Sequence, residues 1–95
     1  MTKESNLKKY SDPDLVRHKA FEMGLNEVHA SSRKDKKYMV FNGHKMVHFG
    51  QMNPPYDDYT KHGDEKRREN FRKRNHRWAN ARRYSPAWLS YWLLW

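Results

Sequence analysis

His44, His48, His62 and Asp64 are the side chains of a type that could ligate a divalent metal, and Asp57, Asp58 and His62 those that could form an acid–base set. His44 and His48 stand four apart in a stretch that reads as a strand, so both point to one face. That spacing matches no zinc motif. Asp57 and Asp58 are adjacent and so do not aim at a common point. No activated serine or cysteine nucleophile and no glycine-rich phosphate loop accompanies them. The expectation is a non-enzymatic protein with no catalytic residues, no metal site and no cofactor. The histidines then serve as hydrogen-bonding groups near carboxylates and aromatics.

The stronger chemical pattern is charge. Between Lys61 and Arg83 lie ten cations, against the three acids Asp64, Glu65 and Glu69, in a chain whose net charge is +9. Lys66, Arg67, Arg68, Arg72, Lys73, Arg74, Arg77, Arg82 and Arg83 are the candidate partner- or phosphate-binding residues. The plainer alternative is a solvated helix surface neutralised by Asp64 with Arg68 and by Glu69 with Lys73. Those two pairs leave most of the charge in place. Anionic partners are therefore expected: nucleic acid, an acidic protein surface or anionic lipid. Beside this run, Trp88, Trp92 and Trp95 recur at four- and three-residue spacing, which gives one helix face three indoles as a hydrophobic anchor. They can fold back over a hairpin, Phe71 and Trp78 to complete a core, or stay exposed to grip a partner. Both hold together with Trp88 and Trp92 inward and Trp95 outward. A bilayer-interface role is a third option.

The elements that must carry these groups are few. Ninety-five residues make one domain at most. With 36% apolar and 33% charged residues and no isoleucine, core material is scarce, and some ordering is expected to wait for a partner. The absence of cysteine excludes disulfides and thiolate metal sites and suits a reducing compartment. Residues 1–6 lack the apolar centre of a signal peptide. The apolar run at 88–95 is far short of the roughly 20 residues a membrane span needs. A soluble protein, intracellular or packaged in a particle, is expected.

Residues 1–10 read as a flexible basic lead-in and 11–95 as a single small α+β domain. Asp12 caps a helix that starts at Pro13 and runs to Met23. Gly24 ends it in the left-handed region, and Leu25 folds back onto Ala20 or Phe21. Val16, Ala20 and Met23 share its core face. Residues 26–30 make a short strand and 31–36 a charged loop. Tyr38–Phe41 and His44–Phe49, joined by Asn42-Gly43 in a type I′ turn, predict a β-hairpin that ends at Gly50. With the short strand it becomes a three-stranded antiparallel sheet. Residues 51–63 form a turn-rich connection. Asp64 caps a basic amphipathic helix over 65–80, whose narrow apolar stripe is Phe71 and Trp78 with Asn75 between them. Ser85-Pro86 opens a tryptophan-rich C-terminal helix.

Lys37-Tyr38-Met39-Val40, Val47-His48-Phe49-Gly50 and Tyr56-Asp57-Asp58-Tyr59-Thr60-Lys61-His62 together resemble a small basic family of nucleocytoplasmic large DNA viruses. The likeness continues through Asp64, Arg67, Asn70-Phe71 and Arg74 to the closing Leu93-Leu94-Trp95, and covers residues 37–95. The family's function is unassigned, so the resemblance implies a viral setting: the virion, and the host cell cytoplasm during assembly. In that setting the expected function is a virion structural protein. It would be a minor capsid or cement-like component that binds larger capsid proteins through the basic helix and the tryptophan tail. The alternative is a genome-coating protein that makes sequence-independent phosphate contacts with DNA or RNA. Tryptophans segregated at one end favour protein contacts, because single-strand binders interleave exposed aromatics with basic residues. A membrane surface is a further partner class, and no small-molecule substrate is expected.

Overall fold

β-branched and aromatic residues at alternate positions build the sheet. The computed structural model describes residues 3–95, and the first two positions of the expected lead-in lie outside them. Strands β1 (Val28–Ala30), β2 (Lys36–Phe41) and β3 (Met46–Gln51) are antiparallel in the order β1-β2-β3. The register sets Val28 opposite Val40 and Val40 opposite Val47, and likewise Ala30 opposite Tyr38 and Tyr38 opposite Phe49. One face therefore carries Val28, Tyr38, Val40, Val47 and Phe49, all buried. The Tyr38 and Phe49 rings are 5.7 Å apart.

The hairpin is present but its loop is not the expected one. Phe41 pairs with Met46, so Gly43 and His44 form the tip and His44 leaves the strand. Asn42 does not occupy the left-handed region. Its side-chain oxygen accepts from the His44 and Lys45 N–H groups at 2.8 and 3.0 Å, which fixes Asn42 ahead of the tip, and only Gly43 takes positive φ. β3 also continues through Gly50 instead of ending there.

Helical segments cover the sheet from both ends of the sequence. Helix α1 (Lys3–Leu7) occupies half of the ten-residue lead-in expected to be flexible. Leu7 is fully buried, Glu4 pairs with Arg17 at 2.7 Å, and Lys3 Nζ donates to the Arg33 and Lys36 carbonyls. One buried apolar residue, an ion pair and the two Lys3 hydrogen bonds dock this polar segment. Helix α2 (Pro13–Glu22) starts at Asp12, whose side chain accepts from the Leu15 N–H. It ends in a Schellman turn: Leu25 N–H donates to Ala20 O and Gly24 N–H to Phe21 O. Val16 and Ala20 are its core residues, and Met23 packs beside them.

The C-terminal helix α5 (Pro86–Leu89), capped by Ser85 Oγ on the Trp88 N–H, widens into a π-helical turn over Ser90–Leu94. Leu89, Leu93 and Leu94 are the core residues of this segment, and Lys19 Nζ donates to Leu93 O at 3.1 Å. The tail thus folds back and completes the core. Among the described residues no helix is long and apolar enough to cross a membrane.

Between sheet and tail, a short helix α3 (Tyr59–His62) interrupts the connection that had been expected to be turns. Helix α4 (Glu65–Arg74) follows and buries no residue. It ends at Asn75, not at residue 80, and a 3₁₀ turn spans His76–Asn80. The Asn75 carboxamide donates to Phe71 O at 3.0 Å, sharing that acceptor with the Asn75 N–H at the helix end. Phe71 and Trp78 still meet edge-to-face at 5.8 Å. The molecule is a small α+β domain.

Candidate functional site

The nine candidate cations do not form one face. Arg68 and Arg72 turn inward, and both donate to the Trp95 backbone oxygen, at 2.8 and 3.1 Å. Arg68 lies over the Tyr59 ring, and Arg72 over Tyr91 and Trp92. These two fasten the tail to α4. Glu69 pairs with Lys73 at 3.2 Å as expected. Asp64 instead caps α4 through the Lys66 and Arg67 N–H groups, and Arg68 takes Glu65 as its partner at 3.6 Å. Arg67 forks onto Asp57 with both contacts at 3.4 Å, and this bonding holds the Asp57 carboxyl below its usual value. Arg83 rests over Tyr84 and Trp88. Lys66, Arg74, Arg77 and Arg82 project into solvent.

The three indoles do not form a uniform stripe either, because the π-helical turn changes their angular spacing. All are half-buried. Trp95 stacks flat on Phe71 at 4.3 Å, and Trp92 Nε1 donates to Ala79 O at 3.2 Å.

What these placements create is a cleft of about 760 Å³ between β3, α4, the 3₁₀ turn and the C-terminal segment. Its floor includes Phe49, Leu94, Phe71, Trp78 and Trp95, and its rim carries Lys36, Arg67 and Arg74 beside Asp57. Gly50 makes the close approach possible. Its φ is +83°, and a Cβ there would lie 3.0 Å from both Leu94 Cδ1 and Lys37 Cβ. Nothing in the one-dimensional pattern announced the cleft, since its walls come from five separated stretches. The Gly50 signal was visible, but it read as a strand end.

Below the cleft lies a buried polar network that sequence reasoning missed. Lys37 and Asp58, 2% and 1% exposed, pair at 3.1 Å. Asp58 also caps α3, accepting from the Thr60 N–H at 3.1 Å and from the Thr60 hydroxyl. Thr60 Oγ1 meets Ser11 Oγ at 3.1 Å, and Ser11 Oγ accepts from the Tyr38 hydroxyl at 2.6 Å. Burial pulls the Lys37 ammonium below its usual pKa, against the pull of Asp58, and pushes the Tyr38 hydroxyl well above its own. Asp57 and Asp58 thus face different environments, one at the rim and one inside. The legible trace was Asp58-x-Thr60, an aspartate placed to cap a turn.

The histidines stay apart. His44 sits in the hairpin loop, and His48 Nδ1 contacts Ser31 Oγ at 2.6 Å. His62 Nδ1 accepts from the Asp64 N–H at 2.9 Å, and its ring lies 5.2 Å from Trp95. Among the described residues no three His, Asp or Glu side chains converge as a metal site would require.

Fold and cleft together define a small cationic α+β domain with an open, aromatic-floored groove. Residues 26–75, more than half of the 95, match a family described as a family of unknown function, DUF5754, and the chain belongs to that family. The matched stretch includes the rim residues Lys36, Asp57, Arg67 and Arg74 and, in the network, Lys37, Tyr38, Asp58 and Thr60. No curated protein and no solved structure matches the chain.

Proposed function

We propose that this chain is a non-enzymatic structural protein of a virus particle, a minor capsid or cement-like component that holds larger coat proteins. The viral setting, the virion and the host cytoplasm during assembly, rests on the sequence resemblance. The binding mode rests on one observation: the cleft sets a cationic rim over an apolar, aromatic floor. Such a groove suits an acidic partner segment carrying one aromatic or aliphatic side chain. The apolar anchor supplies most of the affinity, and the charges steer and orient it.

The competing reading is genome coating. A platform for successive bases needs several open ring faces. Of the rings lining the cleft, Trp95 has one face covered by Phe71, which leaves Trp78 and Tyr56, 36% and 54% exposed, as accessible rings, and they come from separate segments instead of one platform. This supports protein over single-stranded nucleic acid at this groove.

The test is fluorescence anisotropy with a labelled Asp/Glu-rich peptide carrying one phenylalanine. Arg74→Glu combined with Trp78→Ala should weaken binding about tenfold or more, roughly 1.4 kcal/mol, with the unfolding midpoint little changed. Unchanged affinity in that variant would sink the cleft reading. Arg72 is not a clean target, because it holds the tail through Trp95. Mixed-sequence DNA whose affinity falls tenfold or more in that same variant at physiological ionic strength would place the nucleic acid in this cleft and put genome coating ahead.

A further inference from the structure

We infer that a second cleft, on the hairpin side of α5, is a binding site for the phosphate backbone of a nucleic-acid strand. It encloses about 710 Å³ and shares only Pro86 with the first. Arg33 from the loop after β1, Lys45 from the hairpin loop, and Arg82 and Arg83 from the segment before α5 line it, together with His44 and His48. Among the described residues no carboxylate lines it. Asp35, which pairs with Arg33 at 3.7 Å, stands outside the lining; both side chains are about half exposed, so the pair is solvent-screened.

Three separate segments converge to place these cations together, and no helical spacing forces them to. The wall formed by 82–85 is held in an unfavourable shape. Tyr84 has φ +69°, a left-handed conformation that a residue with a Cβ adopts only when its surroundings impose it. Its hydroxyl accepts from the Asn26 N–H at 2.9 Å, which pins the turn to the start of the sheet. Arg83 is held over Tyr84 and Trp88 and donates to Met23 O at 3.3 Å. A strained turn and a pre-oriented guanidinium are features of a site built ahead of its ligand. Lys45, Arg82 and Arg83 bring like charge to one lining that holds no carboxylate, and Arg33 adds a cation whose counter-charge, Asp35, lies outside it; an anion in the cleft relieves their repulsion. Phosphate is the anion that matches, since guanidinium forks bind it in two-bond geometry. Charge of a single sign on several sides fits a polyanionic chain better than a mixed protein surface.

The proposal stands independently of the first cleft. A particle protein with both would tie a coat protein at one groove to nucleic acid at the other.

The test measures binding of short, labelled, mixed-sequence DNA across a salt series. Arg33→Glu with Lys45→Glu should reduce affinity at least tenfold at fixed salt. It should also reduce the slope of log affinity against log salt by about two, one for each phosphate that is no longer neutralised. Arg74→Glu with Trp78→Ala, at the first cleft, should leave DNA affinity within about twofold. An unchanged slope in the hairpin variant overturns the proposal. So does loss of DNA binding in the Arg74 variant alone. Equal competition by poly-glutamate at matched charge also overturns it, in favour of an acidic protein segment.

Discussion

Lys37 and Asp58 show how far single residues could be read. Period-two alternation puts residue 37 out of phase with Tyr38 and Val40, so the pattern assigns a lysine there to solvent. The 51–63 connection crosses that strand end and buries it, a tertiary event that alternation cannot report. Adjacent carboxylates were expected to diverge, and they do: Asp57 meets Arg67 at the rim while Asp58 goes inside. Removing one partner leaves the other charge buried alone. Asp58→Ala should therefore cost about 3–5 kcal/mol, read from urea unfolding followed by tryptophan emission. A loss under about 1 kcal/mol would mean that water reaches Lys37 Nζ and the network is not sealed.

At the scale of elements, the legible features were those fixed by short-range chemistry. Asp12-Pro13, Gly24, Asp64 and Ser85-Pro86 all stand at the helix ends they predicted, because each cap depends on neighbours within four residues. Less legible were the positions at which the hairpin turned and the long helix ended. Asn42 moved the hairpin tip by one position, and the expected long helix gives way at Asn75 to a 3₁₀ turn. Gly50 was visible, yet its role depends on Leu94, far along the chain. Gly50→Ala should cost about 1–3 kcal/mol from the strained backbone alone. It should also shift tryptophan emission to the red as Leu94 is pushed off the strand. Wild-type stability and emission in this variant would remove the close approach as the reason for the glycine.

For the whole molecule, ionisation favours neutral and mildly alkaline solution over acid. Burial holds the His48 and His62 imidazoles below their usual pKa, so the unfolded chain binds protons there more readily than the fold does. That stability is intact above about pH 6.5 and is lost as pH falls through the depressed folded values. Hydrogen bonds from Arg17 and Arg67 depress the carboxyls of Glu4 and Asp57, which adds a loss of the same sign at lower pH. The urea midpoint should fall steadily from pH 7 to pH 3. A flat profile would mean that these shifts are not present in the folded protein.

The placement of the core has a further consequence for what counts as a unit of inheritance. Residues 26–75 are the stretch that matches the family, and they contain the entire sheet. Leu7, Val16, Ala20, Leu89, Leu93 and Leu94, which cover that sheet, all lie outside them. The recognisable segment is therefore not a self-sufficient module. Cut to those bounds, this chain would present a bare apolar sheet face, to be covered by restored flanking sequence or by a neighbour.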